Sequence, residues 1–189
     1  MRRGSAAISN RHCKALLVSR QPVLDAKLVN NRPAVTVAAI AERDGRYLLI
    51  EERIRGRLVI TQPGGHVEDR ETLLDAVVRE TLEESACSFT PTSLVGTYLW
   101  RNPLTEHTSL RFTFAGTVEG PDSGRTLDRG IERALWLSGT ELRRWQSRLR
   151  SPLVLRCIDD YEAGRCAPLE SVQYLDLESA CHVRAVVNL

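Results

Sequence analysis

Residues 65–84 read GHVEDRETLLDAVVRETLEE, directly after the turn residues Pro63 and Gly64. At about 100° per residue on a helix, Glu80, Glu83 and Glu84 project within a quarter-circle of one another, while Leu74, Val77, Val78, Thr81 and Leu82 form a separate stripe. The pattern predicts an amphipathic helix over about 73–85, with one face that packs and one that concentrates negative charge. Like charges one helical turn apart repel by roughly a few tenths of a kcal/mol per pair, so three together need either open water or a cation. On the helix alone, a solvated acidic face and a cation site fit equally well. Magnesium suits the second, because it takes oxygen ligands and is shared between one or two carboxylates and substrate phosphates.

The flanking residues separate the two readings. Five residues lie between Gly65 and Glu71, seven between Glu71 and Arg79, and Arg79-Glu80-Thr81-Leu82-Glu83-Glu84-Ser85-Ala86-Cys87 follows. This resembles the Nudix box, G-x5-E-x7-R-E-U-x-E-E-x-G-U, where U is a bulky aliphatic residue; Gly65, Glu71, Arg79, Glu80, Glu83 and Glu84 all match. Two positions depart from it. Ala86 stands where the family has Gly, at a helix end where a left-handed residue is expected, at a cost of about 1 kcal/mol. Thr81 replaces a large aliphatic residue. Neither is a ligand position, so both bear on local stability.

Around the helix the chain alternates strand and turn signals. Val35 to Ile40, an Asp44-Gly45 turn and Tyr47 to Ile50 predict a hairpin, and Leu58 to Thr61 a further strand leading into Gln62-Pro63-Gly64-Gly65. Leu94 to Trp100 and Leu110 to Val118 form a strand pair, and residues 131 to 137 alternate again, with Glu132 on the side of Ala134 and Trp136. Ser138 to Glu141 has capping-box spacing for a helix through about Leu149. Ser151-Pro152 supplies an N-cap and a first-turn proline for a second helix, with Val154, Cys157, Ile158 and Tyr161 as its stripe and Gly164 as its end. Mixed strands and separated helices predict an α+β class, which the resemblance narrows to the Nudix α/β/α sandwich with a mixed β-sheet. The expected organisation is a basic N-terminal extension over 1–32, a Nudix domain over 33–173 and a C-terminal tail over 174–189.

The resemblance extends past the box. Pro33 to Ala38, Glu51-Glu52, Gln62 to His66, Leu110-Arg111-Phe112 and Leu149 to Val154, with Tyr161, Gly164, Arg165, Pro168 and Leu169, look like the bacterial Nudix phosphatase subgroup. That subgroup hydrolyses nucleoside tri- and diphosphates and thiamine-type pyrophosphates; it usually has Ala at the position of Gly64. The resemblance implies Mg²⁺, or Mn²⁺ in its place, held by Glu80, Glu83, Glu84 and the Gly64 carbonyl. It also implies that Glu71 and Arg79 form an ion pair orienting those ligands, because such partners fix ligand geometry. Glu80 is a candidate base, and a downstream acid is expected at Glu132, with Asp128 as its rival.

Substrate contacts are expected from Arg111, Trp100, Gly65, His66 and Glu51. Arg111 on an apolar strand needs an anionic partner, such as a phosphate bound bidentately. Trp100 either stacks on a base or belongs to the core. Glu51 and Glu52 either face the pocket or protect an edge strand, and His66 either lines the site or is a loop histidine. Two other functions stay open: a nucleotide-sugar hydrolase of the ADP-ribose type, since Pro103 lies sixteen residues beyond Cys87, and a catalytically silent nucleotide sensor.

Composition excludes several classes. The chain of 189 residues is long enough for one domain with a proper core. No apolar run approaches the ~20 residues of a membrane span, and no secretory segment is present. Five cysteines at 13, 87, 157, 166 and 181 form no C-x-x-C pair and read as reduced thiols, and the four histidines are scattered, which disfavours zinc. Residues 1–24 hold five basic and no acidic side chains, leaving 21 basic against 24 acidic beyond them, a net of −3, so the core is not a nucleic-acid binder by charge. The arm reads as a loosely docked extension, a nucleic-acid contact or a transit-like sequence. The expected protein is cytoplasmic, a monomer or homodimer, and acts on a small phosphorylated molecule.

Overall fold

The computed structural model describes residues 32–175; the basic arm up to residue 31 and residues 176–189, with Cys13 and Cys181, lie outside the described residues. The predicted hairpin is β1 (Ala34–Arg43) and β2 (Arg46–Ile54). Asp44 and Gly45 both adopt positive φ, 52° and 70°, which a tight hairpin turn requires. β3 (Arg57–Thr61) pairs antiparallel with β2, and β4 (Ser88–Arg101) pairs antiparallel with β5 (Thr108–Glu119). β6 (Ile131–Ser138) lies on the other edge of β2, also antiparallel.

The sheet has two halves. β1 runs parallel to β5, which carries β4, while β3, β2 and β6 form an antiparallel set. The halves join only at the mouth of the hairpin, through Glu42 opposite Tyr47 and Arg43 opposite Arg46. Beyond that mouth the free edge of β1 is taken by the glycine loop: Ala39 N–H donates to Pro63 O and Val37 N–H to Gly65 O, both at 2.9 Å. The loop is thereby fixed in the cleft where the two halves diverge.

Helices cover both faces, so β1 shows a continuous buried run, Val37 to Ala41, in place of alternation. On one face Val37, Ala39, Leu48, Phe89 and Phe114 pack against Ala76 and Val77 of α1 (Leu73–Ser85). On the other, Ile40, Leu49, Ile60 and Val95 pack against Leu142 of α2 (Gly139–Arg144) and Val154, Cys157 and Ile158 of α3 (Leu153–Glu162). This is the expected α/β/α sandwich with a mixed sheet. No helix among the described residues is long and apolar enough to cross a membrane.

Local signals mostly hold, with instructive shifts. α1 has the predicted bounds and is capped by Thr72, whose hydroxyl accepts the Asp75 N–H at 3.0 Å. Its most buried residues are Ala76, Val77, Thr81, Glu84 and Ser85, rotated from the predicted stripe toward Glu84. Thr81 satisfies its hydroxyl by donating to Val77 O at 2.7 Å. Both arms of the Ser138–Glu141 capping box form, but α2 stops at Arg144 and a 3-10 turn (Gln146–Arg148) follows. α3 begins one residue later than expected, without a Ser151 side-chain cap. β2 is an interior strand, which removes edge protection as a role for Glu51 and Glu52.

Ala86 terminates α1 in the left-handed region, φ 58° and ψ 17°, its N–H bonded to Leu82 O at 3.0 Å. Ala86→Gly is expected to raise stability by about 1 kcal/mol. The check is the denaturation midpoint at constant m-value; an unchanged or lower midpoint contradicts a strained cap.

Candidate active site

The carboxylates of α1 are organised by one arginine. Arg79 grips Glu71 through both of its forks, Nε to Oε1 at 2.7 Å and Nη2 to Oε2 at 2.9 Å. Nη1 also donates to Glu80 at 2.8 Å and Glu83 at 3.1 Å, and Nη2 to the His66 carbonyl at 3.0 Å. Arg79 hydrogen bonding holds Glu71 below the usual carboxylate range, and the Glu71 grip holds the Arg79 proton more firmly than usual. The guanidinium therefore ties loop, box entrance and acidic face into one unit, as the resemblance implied for this pair.

Two glycines let the loop approach. A Cβ on Gly64, at φ 151°, would lie 2.2 Å from the Val37 carbonyl oxygen, and one on Gly65 would meet the Glu80 carboxylate at 2.5 Å. Gly64 N–H donates to Glu84 at 2.8 Å. The Gly64 carbonyl takes no part in the bonds tying this loop to β1, which use Pro63 O and Gly65 O instead.

Glu84 is the electrostatic centre. Burial pushes its carboxyl from 4.5 up to about 8, against the pull of the Gly64 N–H, with Glu80 and Glu52 adding repulsion and Arg150 opposing them. Burial also raises Glu80, opposed by Arg79 and reinforced by Glu83 and Asp128. Among the described residues no three His, Cys, Asp or Glu side chains converge as a ready-made cation cage: Glu80 and Glu83 are turned onto Arg79, and Glu84 onto the loop. The donor chemistry fits a hard divalent cation all the same. Every donor is oxygen, and Glu84 is a buried carboxyl, repelled by Glu80 and Glu52, whose only hydrogen bond among the described residues comes from a backbone amide.

Arg111 of β5 stands opposite Thr36 of β1, the strand that carries the glycine loop, and the charge of Glu84 reaches it. The residue as a whole is only half-buried, yet its Nε and Nη1 are sealed from solvent and meet no acceptor among the described residues. Burial lowers its proton affinity and Arg150 adds repulsion, while the thiol of Cys157 and the charges of Glu84 and Glu52 oppose this. Thr36, its cross-strand neighbour on β1, also has an unpartnered buried hydroxyl. Such orphaned polar atoms are rare in native structures and mark a place for a ligand or water.

A cleft of about 630 Å³ is walled by Trp100, Pro103, Leu104, Leu149, Arg150 and Pro152; Glu80, Glu83, Glu84 and Arg111 do not line it, and Arg150, whose charge reaches Glu84 and Arg111, is its link to them. Trp100 packs against the core, as one of its two readings had it, and its remaining surface lines the cleft. Other expected residues fall elsewhere. Glu132 is exposed and pairs with Arg53 at 2.7 Å, whereas the rival Asp128 bonds its N–H to Glu83 O at 3.0 Å and its charge reaches Glu80. Glu51 is buried between Arg133, at 2.9 Å, and Arg148, each holding one of its oxygens. The His66 side chain is exposed, and its carbonyl makes the contact with Arg79. Glu52 and Arg150 stand at the site instead, paired at 2.8 Å. Nothing in the periodicity around Arg150 singles it out.

Residues 30–156 match the NUDIX domain family. The chain is 37% identical over 141 residues to proteins named Phosphatase NudJ from Escherichia coli K12 and Shigella sonnei, covering 75% of this chain and 91% of each of them. Among solved structures it resembles a NUDIX hydrolase from Nitrosomonas europaea, at 48% identity and a TM-score of 0.75, over 77% of this chain and 99% of that one. The glycine loop, the Arg79-centred carboxylates and these likenesses agree: the chain belongs to the NUDIX family and is a Nudix hydrolase.

Proposed function

We propose that the protein is a divalent-cation-dependent phosphatase or pyrophosphatase that hydrolyses phosphoanhydride bonds of nucleoside di- and triphosphates or thiamine-type pyrophosphates. The observation that carries this reading is the buried carboxylate Glu84 bonded to the glycine loop, which lies along β1, while the strand on the other side of β1 carries the unpartnered guanidinium of Arg111. Phosphoanhydrides resist water because their oxygens repel nucleophiles, so a site needs positive charge on the phosphates and an aligned nucleophile. Arg111 supplies the first as a pair of sealed donors. Glu80, Glu83, Glu84 and the Gly64 carbonyl are the residues that would hold Mg²⁺ or Mn²⁺, which when bound neutralises phosphate charge and acidifies water. Glu80, its proton affinity already raised by burial, accepts the proton of the attacking water at its carboxylate. Glu71 and Arg79 keep Glu80 and Glu83 aimed. Trp100 presents an aromatic wall to a base or pyrimidine ring.

Pro103 in the same cleft wall favours a second reading, a nucleotide-sugar substrate. A panel of GTP, GDP, ADP-ribose and thiamine pyrophosphate, each assayed with Mg²⁺ for orthophosphate, pyrophosphate and monophosphate, separates them. Orthophosphate from GDP or thiamine pyrophosphate is the expected result. Turnover of ADP-ribose alone selects the nucleotide sugar, and nucleotide binding without turnover of any member selects a sensor.

A further inference from the structure

Asp160, in the last turn of α3, is a buried acid that the chemistry of α1 does not use. Buried carboxylates are almost always paired, and this one has three side-chain partners. Its Oδ2 accepts the Tyr98 hydroxyl of β4 at 3.0 Å and Arg156 Nε at 2.8 Å, and its Oδ1 accepts Arg165 Nη1 at 2.7 Å. Its backbone carbonyl takes the Arg165 N–H at 3.0 Å, after Gly164 turns the chain at φ 70°. Asp160 thereby ties the residues that follow α3 to β4, the edge strand of its half of the sheet.

Those residues then change layers. Ala167 exchanges both backbone hydrogen bonds with Leu94 on β4, at 2.9 and 2.7 Å. Beyond it, Leu169 and Val172 pack on the buried cluster that holds Ala76 and Val77 of α1, on the face of the sheet opposite α3. Val172, Gln173 and Tyr174 share the lining of a cavity of about 260 Å³ with Glu71, Thr72, Leu73 and Leu74 at the entrance of α1. The strap from 164 to 174 thus carries a tie made at Asp160 around the sheet edge to the end of α1 where Glu71 grips Arg79. We infer that Asp160 is a positioning residue: through this strap it braces the first turn of α1 and so sets where the Glu71–Arg79 pair holds Glu80 and Glu83. The link to catalysis rests on the cation reading of the acidic face, whereas the brace itself is read without a metal.

The test combines amide hydrogen exchange of the full chain, followed residue by residue by nuclear magnetic resonance, with Mn²⁺ affinity. The variants are Asp160→Asn and Val172→Ala, the second trimming the far end of the strap and keeping Asp160. Both are expected to speed exchange of the Asp75 and Ala76 amides, which are bonded to Thr72, by about tenfold relative to the Ala86 amide at the other end of the helix. Mn²⁺ is expected to bind about threefold more weakly or worse. A merely structural loss speeds both ends alike and leaves the affinity of folded molecules unchanged. Should Asp160→Asn fail to fold, Arg165→Gln, at the exposed end of the same tie, takes its place. Exchange raised equally along α1, or parental Mn²⁺ affinity in the folded variants, overturns the inference. A parent that binds no Mn²⁺ refutes the cation reading instead, and the exchange pattern alone then decides the brace.

Discussion

Glu84→Gln is expected to lower turnover by at least about a thousandfold, equivalent to about 4 kcal/mol of transition-state stabilisation, while the chain stays folded. The amide keeps the shape and an oxygen to accept the Gly64 N–H, so the loop anchor at 2.8 Å survives. It removes the buried negative charge on which a cation depends. Stability without metal responds oppositely to activity. The folded chain holds the Glu84 proton to about pH 8, whereas the unfolded chain releases it near 4.5. The unfolded state thus gains by ionising first: stability is greatest below about 4.5, falls as pH rises, and levels off above about 8. Glu84→Gln removes this decline. Circular dichroism melts of the metal-free proteins between pH 5 and 8, with turnover measured alongside, check both halves. A variant with parental turnover in Mg²⁺ refutes the assignment of Glu84.

Arg111→Leu is expected to raise stability by about 1–2 kcal/mol and to lower kcat/KM by about a hundredfold. Leucine replaces much of the aliphatic stem without the desolvated Nε and Nη1, which meet no acceptor in the folded chain. A fully satisfied arginine would give the reverse sign of stability change, so the two measurements together identify a group kept for binding. The midpoint of urea unfolding at constant m-value reads stability, and initial rates on GDP read activity. A destabilised variant, or one with parental kcat/KM, contradicts the assignment.

Elements set by local chemistry were legible in the sequence. The Asp44-Gly45 turn, the Ser138–Glu141 box and the left-handed end at Ala86 depend on residues within one turn of each other. The spacing from Gly65 to Glu84 carried the resemblance that implied the Glu71–Arg79 ion pair, whereas the bonds of Arg79 to Glu80 and Glu83 emerged only in the structure. What was not legible depends on packing across the chain. Burial of Glu84 follows from the rotation of α1 against the sheet, which hydrophobic pattern alone misjudged because the pattern counts carboxylates as exposed. Glu51 and Glu52 are neighbours in sequence, yet their side chains point to opposite faces of β2, one meeting Arg133 and Arg148 and the other Arg150. Glu132 was favoured by its distance along the chain, but Arg53 across the sheet claims it, and Asp128 is the acid whose charge reaches Glu80.

The central claim is that the acidic face of α1 holds a divalent cation through Glu84 and its neighbours. Titration of the full chain with Mn²⁺ at pH 8, followed by loss of the free-ion electron paramagnetic resonance signal, tests it most directly. The account predicts saturable binding by the parent, competed by Mg²⁺, and an affinity at least about tenfold weaker in Glu84→Gln. Equal Mn²⁺ affinity in the two proteins would contradict it.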